Sequence, residues 1–210
     1  MFTTKGPAMP DTPTTADRRA ALRERLTDIA EATIAAQGLS ALRARDLAAQ
    51  AGCAVGAIYT VYGDMTELVL TVNARTFRHL GRAVATALAA APADPAAQLV
   101  AMGHAYHAFA AANRPAWAAM FRVDGPPGKG PPDWYLAEMN QLFTWIEAPL
   151  AVLMPDLPDP DRALMARALF SAVHGIVALG LDQAAAGVPA GQIDRMIGLI
   201  LPRIGNRSVS

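Results

Sequence analysis

A chain of 210 residues with 18 basic and 18 acidic side chains carries no formal net charge, which argues against a protein that coats nucleic acid through bulk electrostatics. Hydrophobic residues make up 53%, yet no uninterrupted apolar run reaches the ~18 residues of a membrane span, so no membrane partner is expected. The start, MFTTKGPAMPDTPTTADRR, lacks the apolar core of a secretory signal, and the single cysteine, Cys53, cannot form an internal disulfide, so a cytoplasmic location is expected.

In chain order, residues 1–16, rich in Thr, Pro and Asp, read as a disordered arm. Leu22, Leu26, Ile29, Ala30 and Ile34 then form one helical stripe, which Gly38 can end by taking the left-handed conformation. Two short helices follow, 44–51 and 55–62, separated by Gly52, Cys53 and Ala54. Asp64 can cap a long helix over 65–90, with Glu67 completing a capping box. Pro95 opens a helix to about 113 and Pro115 a short one to about 121. The stretch DGPPGKGPPD (124–133) predicts a loop. Helices are predicted over 133–154, kinked at Pro149, then over 162–186 and 189–204. No segment alternates as a strand does. The fold class is all-α, a three-helix domain over 17–64 joined to a larger helical domain over 65–210.

Two short helices joined by a glycine-containing turn make a helix-turn-helix, whose second helix enters the major groove. Leu47, Ala48 and Ala51 face inward from the first, Ile58 and Tyr62 from the second. A plain helical hairpin would show the same spacing. Charge leans the same way: residues 17–82 hold nine arginines against seven acids, whereas 83–210 hold eight basic and ten acidic residues.

The run LRARDLAAQAGCAVGAIYTVYGDMTELV (42–69) resembles the DNA-binding signature of TetR-type transcriptional regulators. The matching positions are Arg45, Leu47, Ala48, Ala51, Gly52, Gly56, Ile58, Tyr59, Tyr62 and Leu68. The resemblance implies a DNA-binding domain over 17–64 and an effector-binding and dimerisation domain over 65–210. Within the latter, NRPAWAAMF (113–121) and AVHGIVAL (172–179) resemble the WHG subgroup. It also implies a phosphate contact from the Tyr59 hydroxyl, with Val55, Ala57 and Thr60 facing the groove and Gly56 letting the backbone approach. Val55 and Ala57 suit thymine methyl groups, and Thr60 a polar base edge. Arg18, Arg19 and Arg23 are candidates for the DNA backbone, or for a solvated helix face.

Three positions depart from the pattern. Met65 stands where the family usually has a phosphate-contacting lysine. Arg43 replaces a polar capping residue and could take over that phosphate contact, beside Arg45. Ala54 replaces the usual Ser or Thr cap of the recognition helix.

Most aromatic residues fall between 106 and 145, the region the resemblance assigns to effector binding. Candidate pocket residues are His104, His107, Trp117, Phe121, Trp134, Tyr135, Phe143, Trp145 and His174; plain core packing fits each as well. His104 and His107 share a spacing that could chelate a metal, but too few ligands accompany them, and no metal or cofactor is expected. Cys53 reads as a small side chain filling the helix crevice. GPPGKGPP is not a phosphate-binding loop, because Gly130 follows Lys129 where Ser or Thr is needed. Ser171, His174 and Asp182 lie along one helix, where a catalytic triad rarely assembles.

The last two predicted helices are apolar nearly all round, which requires cover on both sides. A two-fold dimer through Phe170, Val173, Val177, Ile193, Ile197 and Ile200 is expected, burying ~1,600 Å² or more. The functional expectation is a repressor that binds a palindromic site in double-stranded DNA as a homodimer and is released by a small apolar or amphipathic effector. The alternative is an all-helical small-molecule binder or enzyme that kept the fold without reading DNA.

Overall fold

The computed structural model describes residues 14–122, 130–182 and 187–204, and among them every regular element is helical. Helix α1 (Thr15–Gln37) begins inside the expected arm, because Thr14 and Asp17 close a capping box: the Thr14 hydroxyl accepts from the Asp17 amide at 3.1 Å and the Asp17 carboxylate accepts from the Thr14 amide at 2.9 Å. The rest of that arm lies outside the described residues. Gly38 ends α1 at φ 83°, where a side chain would be strained.

Helices α2 (Ala44–Ala51) and α3 (Val55–Tyr62) form the expected helix-turn-helix. Gly52 makes the turn in the left-handed region, at φ 66° and ψ 38°, and the Cys53 amide reaches back to the Ala48 carbonyl at 3.0 Å. Helix α4 (Met65–Ala90) is capped by Asp64, whose carboxylate accepts from the Glu67 amide at 2.7 Å. Only half of the expected capping box forms. The Glu67 carboxylate turns instead to Arg23, at 3.1 Å.

Two apolar cores result. The first joins Leu26, Ile34, Leu47, Ile58 and Tyr62 to Leu68 and Val72 of α4, so this helix, which starts at the expected boundary, also contributes to the core on its N-terminal side. Farther along, α4 places Leu70, Phe77, Leu80 and Val84 in the second core, with α5 (Pro95–Ala112), α7 (Asp133–Leu153), α8 (Asp159–Leu181) and α9 (Ile193–Ile200). The short α6 (Arg114–Ala119) serves both: Ala116 and Ala119 pack on the first core, while Trp117 belongs to the second.

One ion-pair knot fixes α4 to α1. Arg75, with 16% of its side chain exposed, meets Glu24 at 2.5 Å, Asp28 at 2.6 Å and Glu31 at 2.9 Å. Burial opposes its charge, but the bonds to Asp28 and Glu31 outweigh that and raise its pKa further.

Helix α7 runs through the buried Pro149 as one continuous element. Helix α8 starts at Asp159, three residues before the predicted start, because Pro160 sits in its first turn where a missing amide costs nothing. Its end at Leu181 falls short of the predicted 186; residues 183–186, like 123–129 of the predicted loop, lie outside the described residues. On average hydropathy α8 is long and apolar enough to cross a membrane, although Arg167 and His174 interrupt its apolar run. Its periodicity shows two stripes. Leu169, Val173, Ile176, Val177 and Gly180 face the chain's own core, whereas Leu164, Ala168, Ala172 and Leu179 are exposed.

That division corrects the expected dimer residues. Val173, Val177, Ile193 and Ile197 are 6%, 0%, 1% and 0% exposed within the single chain, so they hold α8 and α9 to their own protomer. Phe170 packs against the same core. Of the six, only Ile200 is exposed, at 41%.

Candidate nucleic-acid interface and effector cavity

The outer face of α3 is apolar, small and open. Val55 is 37% and Tyr59 46% exposed, with Gly56 and Thr60 also exposed and Ala57 half-buried. Ile58, Val61 and Tyr62 form the inner face. The Tyr62 hydroxyl donates to the Arg23 carbonyl at 2.8 Å and also meets the Thr27 hydroxyl, so this buried phenol is satisfied. Burial raises its pKa, which keeps it neutral. The Thr60 hydroxyl donates to the Gly56 carbonyl at 3.2 Å, leaving its oxygen free to accept from a base.

The arginines of α1 do something the sequence did not suggest. Arg19 donates to the Thr60 carbonyl at 2.7 Å, Arg23 to the Val61 carbonyl at 3.0 Å and Arg25 to the Ala51 carbonyl at 3.1 Å. Each guanidinium meets a carbonyl at the C-terminal end of α2 or α3, where helix dipoles favour a cation by about 0.3–1 kcal/mol. Arg23 also stacks on the Tyr62 ring, 4.2 Å from its centroid. Arg19 and Arg23 therefore clamp the helix-turn-helix through part of their donor sets. Arg43 is exposed but donates to the Ser40 carbonyl at 2.5 Å. Arg18 and Arg45 are exposed, with no side-chain partner among the described residues.

Inside the second core lie two adjoining cavities, about 230 Å³ and about 80 Å³, that share Leu80, Tyr106, Leu142, Ile146 and Phe170 as walls. Among the described residues, no charged side chain lines either one. Phe121 and Phe143 line the larger cavity and Trp145 the smaller. Trp117 and His174 stand just behind: the His174 ring lies 4.3 Å from Phe121, 5.5 Å from Trp117 and 5.6 Å from Phe170, centroid to centroid.

A chain of hydrogen bonds orders this cluster. Trp117 Nε1–H donates to the Tyr106 hydroxyl at 2.8 Å, and that hydroxyl shares a second bond with His174 Nδ1, 2.7 Å away, whose direction follows the imidazole tautomer. Burial lowers the pKa of His174, which favours its neutral form. Burial likewise pushes the Tyr106 phenol up. Tyr106 was missed in the sequence, although its place among the clustered aromatics was the available signal.

Three candidates fall elsewhere. His104 Nε2 lies 3.2 Å from the Asp194 carbonyl and His107 Nδ1 lies 2.8 Å from the Asp194 carboxylate. Both therefore face α9 rather than a cavity, because the face of α5 one step round the helix carries Met102 and Tyr106. Trp134 is 43% exposed and touches Tyr135 edge-on without lining either of these two cavities.

Two family models match these two units. Residues 26–72 match that described as bacterial regulatory proteins, tetR family, and residues 99–201 match that of the tetracyclin repressor-like C-terminal domain. The chain belongs to the TetR family. Similar solved structures include a protein of unknown function from Rhodococcus sp. RHA1, 24% identical over 88% of this chain and 93% of that one, with TM-score 0.68. The protein RolR in complex with resorcinol is 19% identical over 90% and 99%, TM-score 0.64. The TetR family transcriptional regulator PfmR from Thermus thermophilus is 22% identical over 90% and 97%, TM-score 0.54. No curated protein sequence matches the chain.

As a TetR-family regulator the chain has a DNA-binding and a ligand-binding domain, and its departures from the family signature acquire a structural meaning. Ala54 occupies the N-cap of α3 in extended conformation with no side-chain bond to the helix. Replacing Ala54 with Ser should supply that bond and stabilise the fold by about 1 kcal/mol, raising the melting temperature by about 2–4 °C. An unchanged or lowered melting temperature would show that the start of α3 is not built as described.

Proposed function

We propose that the chain is a repressor that binds a two-fold-symmetric operator as a dimer in the cytoplasm and is released when a small molecule fills the internal cavity. The observation that carries this reading is the route between the two sites. Helices α4 and α6 each place side chains in both cores, and Asn73 of α4, fully buried, donates to the Ala119 carbonyl of α6 at 3.2 Å. A molecule that shifts Met120, Phe121 or Phe77 therefore loads the elements on which the helix-turn-helix rests. An effector that prefers one setting of α4 and α6 lowers DNA affinity by its differential binding, and DNA weakens the effector by the same factor.

Val55, Gly56, Ala57, Tyr59 and Thr60 would read the groove, with Arg18 and Arg45 as cations available to phosphates. RolR, of the same fold, is described with resorcinol, which supports a small ring compound as one class of occupant. The dimer would form on the exposed stripe of α8 and α9, where Leu164 is 64%, Leu179 49% and Leu199 49% exposed. Leu179→Glu should then sediment as a folded monomer and lose tight operator binding. A wild-type monomer, or a dimer untouched by this change, would remove that interface. A second reading, a ligand-binding protein that no longer reads DNA, is favoured by Met65, where the family usually has a lysine.

A further inference from the structure

Outside the cavities, between α4 and α7, lies an open groove of about 340 Å³. Phe77, Leu142 and Trp145 wall both this groove and the cavities beneath it, so it is their outer vestibule. Leu142 is the partition. Its Cδ2 lies 3.4 Å from where a Cβ would stand on Gly81, so it packs on bare helix backbone and sits between groove and interior.

Charge is divided sharply across that partition. Among the described residues neither cavity has a charged lining, whereas the groove holds Arg78, Arg82 and Glu138. Glu138 is already engaged, 2.8 Å from Arg78. Arg82 is exposed and its guanidinium has no partner among the described residues. A charge cannot enter the interior without losing its hydration unpaired, but an anionic head left in the groove would meet Arg82, with Arg78 one helical turn away on α4.

We propose that the effector site takes an amphipathic carboxylate, its apolar body inside past Leu142 and its carboxylate in the groove on Arg82. This rests on the reading of the interior as the effector site. It adds a head-group subsite and the sign of the ligand's charge. A neutral apolar molecule would use the interior alone, and a cationic one would be repelled by Arg82.

Calorimetric titration of the full chain with three eight-carbon probes tests it: octanoate, 1-octanol and octyltrimethylammonium. Octanoate should bind most tightly, and Arg82→Gln should weaken octanoate about fivefold or more, with 1-octanol unchanged. Arg82→Glu should invert the order, so that octyltrimethylammonium binds better than octanoate. Because residue 82 is exposed, these variants should keep the wild-type melting temperature. Equal binding of octanoate and 1-octanol, an unchanged order in Arg82→Glu, or no binding of any probe would overturn the proposal. Operator binding is measured separately. Octanoate that binds without releasing DNA would contradict the release mechanism and leave the carboxylate site standing, whereas DNA binding with no probe bound would do the reverse.

Discussion

Replacing Gly103 with valine is expected to destabilise the protein by about 3 kcal/mol, read as a lowered midpoint in denaturant unfolding. Gly103 is buried in α5 beneath α9, and a Cβ added there would lie 2.7 Å from Ile197 Cγ2 and 3.1 Å from Leu201 Cδ1. Ile197, the nearer of the two, is 0% exposed and lines neither cavity, so it has little room to recoil. The helix must therefore lift, exposing Ile193, Ile197 and Leu201, each of which contributes about 1.5–3 kcal/mol when buried. The better helix propensity of valine offsets only a few tenths of a kcal/mol. A second effect follows, because α9 carries part of the proposed dimer face: the variant should also dissociate more readily. A wild-type midpoint would mean that α9 does not rest on α5 as described.

Val55→Glu is expected to separate folding from DNA reading. Residue 55 is the first of α3, where a carboxylate interacts favourably with the helix dipole by about 0.3–1 kcal/mol. The side chain is 37% exposed, so no core contact is sacrificed. Stability should hold or rise slightly. Held against the phosphates and base edges of a groove, however, the same carboxylate meets like charge, a penalty of several kcal/mol. Operator affinity should fall about 100-fold. Gel-shift titration alongside thermal unfolding checks both halves, and a variant that unfolds earlier yet binds DNA normally would refute the assignment of the α3 outer face.

The helices themselves were largely legible because their ends are written in particular residues. Asp64 starts α4, Pro95 starts α5, and Gly38 and Gly52 end α1 and α2 at positive φ. Which face of a helix turns inward was harder wherever both faces are apolar. Helix α8 reads as apolar nearly all round, and only packing shows that Val173 and Val177 belong to the protomer. His104 and His107 were misplaced for the same reason: Asp194, their common partner, is 87 or more positions away. The arginines of α1 show the other limit. Nothing local distinguishes a guanidinium that meets phosphate from one that meets the carbonyls of Thr60 and Val61, which lie 41 and 38 positions on. That clamp also clarifies how a helix-turn-helix with no lysine or arginine between Leu47 and Tyr62 keeps its orientation.

The central claim is that this TetR-family chain reads a symmetric operator through α3. Footprinting of the purified full-length protein on genomic DNA at moderate salt tests it most directly. The expected result is a protected site with two-fold symmetry, its half-sites one helical turn, ~34 Å, or somewhat more apart, and protection lost in Val55→Glu. Absence of any protected palindromic site, or protection that survives Val55→Glu, would contradict it.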